Sequence, residues 1–149
     1  MEEIWKDCIG YEGLYQVSDL GRVKSMERQS IGKNNSIRIL KEKILECNVD
    51  EKGYKFLHLW NKSVKKRITV HRLVAQHFIE NPNGLPQVNH KDGVKSNNVV
   101  YNLEWCTSSQ NIKHAYDTGL KFQSRESKNK GINNPNYKHG WFVKWRQLN

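Results

Sequence analysis

The stretch that decides the fold is QVNHKDGVKSNNVVYNLEWCTSSQNIKHAYDTG, residues 87–119. It opens with Gln87–His90, a short run typical of a strand, and continues with a polar loop at 91–101 that contains Asp-Gly and Asn-Asn pairs. Leu103–Cys106 has the composition of a second strand. The stretch therefore predicts two short strands joined by a long polar loop.

A helix is predicted to follow the second strand. Thr107 carries a hydroxyl that can cap the first turn while Gln110, three residues on, reaches back, which is the spacing of a capping box. Gly119 is placed to end the helix. Asn111 and His114 lie three residues apart on this helix, so their side chains share one face.

Four polar side chains are expected to meet in this unit. If the helix packs on the strands through Ile112, Ala115 and Leu103, its polar face looks toward the end of the first strand. The resulting cluster would be open to solvent on one side and would consist of Asn89, His90, Asn111 and His114.

Such a cluster contains groups that phosphodiester hydrolysis needs. The reaction requires a base to activate water, a cation on the scissile phosphate and stabilisation of the leaving oxygen. A histidine titrates near neutral pH and suits the base, and amide oxygens with water can hold Mg²⁺ weakly while a phosphate completes its shell. The pattern is compatible with this chemistry, although spacing alone does not prove it.

The residues upstream predict a strand-rich region that ends in a helix. Glycines mark turns in the first 28 residues, and alternating or apolar runs predict strands at 14–17, 37–40, 54–60 and 67–70. Polar composition predicts loops at 29–36 and 61–66. Apolar residues recur at helical spacing in Val70–Ile79, which predicts a helix.

The charge of the chain favours a polyanionic partner. The 149 residues include 25 Lys and Arg against 15 Asp and Glu, a formal net charge of +10. Residues 121–149 hold seven of the basic side chains and one acid. Nucleic acid is the leading partner, because each neutralised phosphate releases counterions. An acidic protein, an anionic membrane or a basic surface that serves only solubility are the alternatives.

Composition also excludes several classes of protein. Cys8, Cys47 and Cys106 are odd in number, widely spaced and without a C-x-x-C pair, which argues against a disulfide framework and a structural zinc site. The first ten residues lack the apolar segment of a signal peptide, and no apolar run approaches the length of a membrane span. We therefore expect a soluble intracellular protein with no membrane partner.

Two sets of residues carry a resemblance to a known family. The first set comprises Val88–Gly93, Asn98, Asn102–Thr107, Asn111 and His114-Ala115. In this order they resemble the HNH nuclease motif of phage and intron-encoded homing endonucleases. The second set comprises Trp5, Gly10–Ser18, Gly21–Ser25 and His71–Ala75, and it is similar to the module that often precedes that motif. The resemblance covers roughly residues 4–119. More weakly, Gly131–His139 is similar to a short DNA-binding element seen near the ends of such enzymes.

The resemblance implies a ββα-metal fold and a role for each motif residue. His90 would be the general base, Asn102 would brace the loop that holds it, and Asn111 would be a metal ligand. Asn89 stands where many relatives have a metal-binding Asp, so we expect a weakened site that needs high Mg²⁺ or works better with Mn²⁺. His114 would contact the metal or the phosphate, or else pack and hydrogen-bond within the fold.

Basic residues outside the motif are candidates for DNA contacts. Arg22, Lys24 and Arg28 follow a predicted strand and would touch phosphates, with a solvated surface as the alternative. In the tail, the candidates are Lys128, Lys130 and Lys138. His71 and His77 lie on or near an apolar helix face, where a structural role is the better interpretation.

These observations lead to one interpretation. The fold class is α+β, with a β-rich DNA-binding module at 1–69, a ββα-metal HNH nuclease unit at 70–120 and an extended basic arm at 121–149. The protein would be a metal-dependent endonuclease that cuts double-stranded DNA with Mg²⁺ or Mn²⁺, nicking as a monomer or cutting both strands as a dimer. No obligatory protein partner is evident. If the gene is carried by a phage, the protein would act in the cytoplasm of a bacterial host.

Two other classes stay open. The chain could be a DNA-binding protein whose nuclease site has decayed, for which Asn89 is the argument. An RNA-binding protein ranks third, because the sequence has neither an RRM nor a KH signature.

Overall fold

The fold is of the α+β class, with a strand-rich N-terminal part, in a computed structural model that describes residues 2–121. The helices are α1 (Val70–Phe78) and α2 (Ser108–Asp117), and short 3-10 turns occur at Lys33–Asn35 and Val100–Asn102. The strands are β1 (Trp5–Asp7), β2 (Tyr15–Ser18), β3 (Val23–Ser25), β4 (Arg28–Ile31), β5 (Ile37–Leu40), β6 (Lys43–Ile44), β7 (Asn48–Val49), β8 (Lys55–Asn61), β9 (Val64–Thr69), β10 (Gln87–His90) and β11 (Leu103–Cys106). The predicted basic arm lies outside the described residues, apart from Lys121.

The strands pair in small antiparallel sheets. Strands β1, β2, β3 and β6 form one sheet in that spatial order, and β7, β8 and β9 form another. Two hairpins, β4–β5 and β10–β11, complete the strand pairing among the described residues. Neither helix of the described part is long and apolar enough to cross a membrane.

Helix α1 holds these sheets together. Its buried face, which includes Leu73 and Val74, packs against β2, β8 and the β10–β11 hairpin. The same hydrophobic core contains Val17 from the first sheet, Leu59 from the second and Leu103 from the hairpin. The strand-rich part and the motif-bearing hairpin therefore share buried apolar surface, the main stabilising term in folding.

Two predicted loops turned out to contain strands. The polar run 29–36 includes most of β4, which pairs with β5 across a turn whose Asn34 and Asn35 have positive φ. The basic run 61–66 is a tight turn at Lys62 and Ser63, both with positive φ, after which β9 begins at once. Both predictions were wrong because left-handed turn residues other than glycine allowed much shorter connections than composition suggested.

The unit at 87–119 folds as the sequence predicted. The pair β10–β11 is in register from Gln87 opposite Cys106 to His90 opposite Leu103. Thr107 is the N-cap of α2, and both hydrogen bonds of the capping box with Gln110 are present. The predicted packing was wrong in one respect: Ile112 is about half exposed, and no residue of α2 is fully buried. The helix therefore leaves an open space beside the hairpin.

A turn in the N-terminal part presses on the loop between β10 and β11. Gly21, with φ +76°, has no room for a side chain, because an added Cβ would lie 2.7 Å from Cβ and 2.8 Å from O of Asn98. Beside it, the backbone N–H of Val100 donates to the carbonyl of Asp19 at 2.8 Å. The first sheet thus fixes the position of the loop that follows His90.

We predict that Gly21→Ala destabilises the protein far more than Gly10→Ala. Both glycines have nearly the same positive φ, +76° and +78°, but the space around Gly10 is open. Gly10→Ala should therefore cost only the backbone strain, about 1–2 kcal/mol. Gly21→Ala adds a clash with backbone, and we expect roughly 3 kcal/mol or more. Urea unfolding of the two variants measures the difference, and equal losses would show that the contact with Asn98 is unimportant.

Candidate active site

An open pocket lies between the β10–β11 hairpin and α2. Three of the residues predicted to cluster line it together: Asn89, His90 and Asn111. Lys95 and Lys121 contribute positive charge to the rim, and no carboxylate lines the pocket among the described residues. The pocket is therefore electropositive and suited to an anionic group.

The imidazole of His90 is buried but keeps one nitrogen open. Its Nε2 lies 3.0 Å from Oδ1 of Asn98, and because an amide oxygen only accepts, Nε2 carries the proton. Nδ1 then holds the lone pair; within the described residues it makes no hydrogen bond, and it is not sealed from solvent. Burial lowers the pKa of His90 below its ordinary value, outweighing the opposite effect of Asn98. At neutral pH this side chain is a free base.

Asn98 is the residue of this site that the sequence reasoning missed. It appeared in the motif without a role, yet it is only 3% exposed and supplies the acceptor for His90. Its Nδ2 is also buried and has no hydrogen-bond partner among the described residues. An unsatisfied buried N–H is costly, so the amide is held there by its oxygen and by the backbone contact with Gly21.

Asn89 and Asn111 present amide oxygens to the pocket. The Nδ2 of Asn89 donates to Glu104 Oε1 at 2.9 Å, and the Nδ2 of Asn111 donates to Gln87 Oε1 at 2.8 Å. Both NH₂ groups therefore donate hydrogen bonds. Neither Oδ1 accepts a hydrogen bond from another described residue. Two free oxygen donors in an open pocket fit Mg²⁺ or Mn²⁺, which retain water and take further ligands from a phosphate.

The described residues offer few side chains that could bind a metal ion, however. Within residues 2–121, no group of three or more His, Cys, Asp or Glu side chains is arranged to hold a metal ion. Asp92 is the carboxylate nearest in sequence to His90, but its oxygens already accept hydrogen bonds within the loop. The donors are the side chains of Asn97 and Asn102 and the backbone N–H of Val94. The hydrogen bonds from Asn97 and then Asn102 lower the pKa of Asp92. The metal would thus be held by neutral oxygens.

Asn102 ties the two ends of the loop together. Its Oδ1 accepts from the backbone N–H of Asp92 at 3.1 Å, and its Nδ2 donates to the Asp92 carboxylate and to the carbonyl of Asn97. Its own carbonyl accepts from Lys91. These contacts fix the backbone directly after His90.

His114 lies away from the pocket lining. Its Nε2 donates to the carbonyl of Lys91 at 3.1 Å, which joins α2 to the start of the loop. Of the two roles considered for His114, the geometry favours hydrogen bonding within the fold over contact with metal or phosphate.

Comparisons with known proteins agree with this geometry. A NUMOD4 motif matches residues 3–60 and an HNH endonuclease model matches residues 69–113. An uncharacterized HNH endonuclease of Acanthamoeba polyphaga mimivirus is 47% identical over 79 residues, which is 53% of this chain and 24% of that protein. The DNA endonuclease I-HmuI of Bacillus phage SP01 is 37% identical over 115 residues, or 77% of this chain and 59% of the relative. This chain thus spans less than two thirds of the length of either relative.

A solved structure decides the family. It describes DNA binding and cleavage by the HNH homing endonuclease I-HmuI, and it superposes with a TM-score of 0.68 and 37% identity over 89% of this chain and 68% of that one. The chain belongs to the HNH homing endonucleases. The family resemblance and the fold class predicted from the sequence are confirmed.

In this HNH family member, the three basic residues predicted to touch DNA make contacts within the protein. Arg22 pairs with Glu3, and Lys24 lies 3.4 Å from Glu42 and 4.7 Å from the ring of Trp5. Arg28 donates to the carbonyls of Leu14 and Met26 and to the hydroxyl of Ser25. Arg22, with a half-exposed side chain, is the most accessible of the three. Lys128, Lys130 and Lys138 lie outside the described residues.

Two further rings, those of His71 and Tyr54, lie against His90, and Tyr54 also lines the pocket. The ring centroid of His71, on α1, lies 5.2 Å from that of His90 and 5.0 Å from that of Tyr54. His71 is only 8% exposed, and its Nδ1 has no partner within the described part. Burial, assisted by His90, lowers the pKa of His71 to about 4. By contrast, both ring nitrogens of His77 are hydrogen-bonded to backbone, at Leu73 and Ile9.

We predict that His71 makes the protein acid-sensitive. The unfolded chain takes up a proton at His71 near pH 6.5 and the folded protein only near pH 4, so the unfolded state gains stability as the pH falls between these values. Above pH 6.5, protonation of His71 does not reduce the free energy of unfolding. By pH 4 it has lowered that free energy by roughly 3 kcal/mol. Urea unfolding at pH 7 and pH 4.5 should show a smaller loss for His71→Phe than for wild type. An equal loss in both proteins would assign the acid sensitivity to other groups.

Proposed function

We propose that this protein is a metal-dependent endonuclease that hydrolyses one phosphodiester bond of double-stranded DNA. The single observation that carries the proposal is the state of His90: a neutral imidazole, protonated on Nε2, with Nδ1 open to a pocket that also presents Asn89 and Asn111. Family membership supports the same conclusion, and so does the matched structure of I-HmuI, a protein that binds and cleaves DNA.

His90 is the general base of this reaction. Its Nδ1 takes a proton from a water molecule, whose oxygen attacks the phosphorus in line with the bond to the 3′ oxygen. That bond breaks, the leaving oxygen takes a proton from solvent water, and His90 later returns its proton to solvent, so the products carry a 5′ phosphate and a 3′ hydroxyl. The low pKa of His90 keeps it unprotonated at neutral pH, as a base must be.

Asn89 and Asn111 are the residues that would hold Mg²⁺ or Mn²⁺ through their Oδ1 atoms. A bound cation supplies stabilisation of negative charge on the phosphate and the leaving oxygen. Lys95 and Lys121 at the rim attract the DNA backbone. Asn102 braces the loop behind His90, and His114 holds α2 against that loop.

DNA binding uses basic residues outside the pocket. Arg22 is free enough to reach a phosphate by exchanging its partner Glu3, whereas Arg28 is held by three acceptors and serves the fold. The tail residues Lys128, Lys130 and Lys138 add phosphate contacts of the same kind. Within the described residues, one pocket contains the proposed base, so a monomer nicks one strand, and a double-strand break needs a dimer or two successive events.

The proposal is tested by nicking of supercoiled plasmid in Mg²⁺ or Mn²⁺, with EDTA as control. We expect metal-dependent conversion to open circle by wild type and by His58→Ala, an exposed histidine on β8 that serves as the matched control. His90→Ala should be slower by a factor of about 10²–10⁴, the usual contribution of a general base.

Two outcomes would contradict the assignment. Equal rates for wild type and His90→Ala would mean that His90 is not the base. DNA binding without cleavage by wild type in either metal, across a library of target sequences, would favour the decayed-site alternative, for which the neutral Asn89 is the structural argument.

Asn98 is expected to control the tautomer of His90. Asn98→Ala removes the acceptor at Nε2, so the proton is no longer confined to that nitrogen, and single-turnover cleavage should fall about tenfold or more while DNA affinity in EDTA stays unchanged. Asn98→Asp keeps an acceptor and should retain much more activity. The ¹⁵N shifts of the His90 ring report the tautomer directly. An unchanged tautomer in Asn98→Ala would remove Asn98 from the mechanism.

A further inference from the structure

Asn89 and Glu104 face each other across the β10–β11 hairpin. They are directly opposite in the strand register, and Nδ2 of Asn89 donates to Oε1 of Glu104 at 2.9 Å. Asn89 is only 7% exposed and Glu104 is half-buried, so this contact is partly shielded from competing water. Glu104 does not line the pocket itself.

This contact sets the direction of the Asn89 amide. A carboxylate only accepts hydrogen bonds, so the NH₂ group of Asn89 must face Glu104, and the reverse orientation would oppose two acceptors. The Oδ1 of Asn89 is thereby turned away from Glu104 and offered to the pocket beside Asn111. Glu104 thus selects the end of the amide that can bind a cation.

The same contact supplies the charge that Asn89 lacks. A carboxylate that accepts from an amide N–H draws electron density toward the amide oxygen and makes it a better ligand. Its negative charge also lies one side chain behind that oxygen, where it attracts a divalent cation in a partly desolvated setting. An Asn–Glu pair can therefore act in place of a single ligating Asp.

We propose that Glu104 is a positioning residue that orients and polarises Asn89 and so raises the affinity of the site for a divalent cation. The inference rests on the proposed function, since it takes Asn89 as a metal ligand. It assigns no direct metal contact to Glu104.

The first test compares Glu104→Gln with Glu80→Gln. The Glu104→Gln side chain would keep an oxygen that can accept from Asn89 but not the charge, and Glu80 is an exposed acid without a contact to the pocket. We expect Glu104→Gln to raise the Mn²⁺ concentration for half-maximal plasmid nicking about tenfold, the lower end of the effect of losing an outer-shell partner. The rate at saturating Mn²⁺ and DNA affinity in EDTA should match wild type, and Glu80→Gln should change none of these.

The second test is a double-mutant cycle between positions 89 and 104. In Asn89→Asp, position 89 has no side-chain N–H to donate, so Glu104 can neither orient nor polarise the ligand, and only its charge still acts on the cation. Glu104→Gln should therefore weaken Mn²⁺ binding much less in the Asn89→Asp background than in wild type. A loss of the same size in both backgrounds would show that the Asn89–Glu104 hydrogen bond is not involved and would overturn the proposal.

A readout without cleavage separates this inference from the proposed function. Mn²⁺ added to the ¹⁵N-labelled 149-residue protein should broaden the side-chain amide signals of Asn89 and Asn111, at about tenfold higher concentration for Glu104→Gln. If wild type shows this dependence but does not nick DNA, the proposed function fails and the role of Glu104 stands. If wild type nicks DNA and Glu104→Gln has the same Mn²⁺ dependence, only the role of Glu104 fails. Absence of any selective broadening in wild type would overturn the inference.

Discussion

The site depends on holding one neutral imidazole, that of His90, in a fixed orientation at the edge of an open pocket. Burying an imidazole with one unpaired nitrogen costs free energy unless its other nitrogen makes a hydrogen bond, and Asn98 accepts that hydrogen bond. Asn98 in turn sits on the loop between β10 and β11. Its position comes from the hydrogen bonds of Asn102 on one side and the backbone of Gly21 on the other.

The strand-rich N-terminal part is consequently part of the site's architecture. Its turn at Asp19–Gly21 presses on the loop, and Tyr54 lies against both His71 and His90. Lys95, which lines the pocket, donates to the carbonyl of Lys52 at 2.7 Å. Residues from distant parts of the sequence thus meet at one imidazole.

The elements that were predicted correctly are those whose sequence signals lie within a few neighbouring residues. The capping box of α2 needs only Thr107 and Gln110, and the strands of the hairpin are bounded by turn-forming residues on both sides. Strand β5 was predicted at 37–40, but its partner β4 was missed. The half-buried positions of β4 are polar, Arg28 and Ser30, whereas its apolar Ile31 is exposed, so no apolar alternation marks it. The turn of this hairpin relies on asparagines at positive φ, and composition alone does not distinguish such a turn from a loop.

From the sequence we could predict which residues belong to the candidate site, but not the hydrogen bonds between them. A motif position identifies His90, yet Asn98 becomes its partner only through the path of the long loop after β10, and that path is set by Gly21 from another sheet. The pairing of Asn89 with Glu104 depends on strand register, since a shift of one residue would place the two side chains on opposite faces. The predicted packing through Ile112 failed for a similar reason: helical periodicity locates an apolar face but not the distance between that face and the hairpin.

The neutral donor set has a consequence for the order of binding. Two amide oxygens attract a divalent cation weakly, and phosphate oxygens add the negative charge that the pocket lining lacks among the described residues. Each ligand then raises the affinity for the other by the same factor, because coupling between two binding equilibria is reciprocal. If Asn89 and Asn111 hold the cation as proposed, it is therefore concentrated at His90 mainly when a phosphate is already there. A carboxylate placed behind Asn89, as Glu104 is, strengthens the site without occupying a coordination position that the phosphate needs.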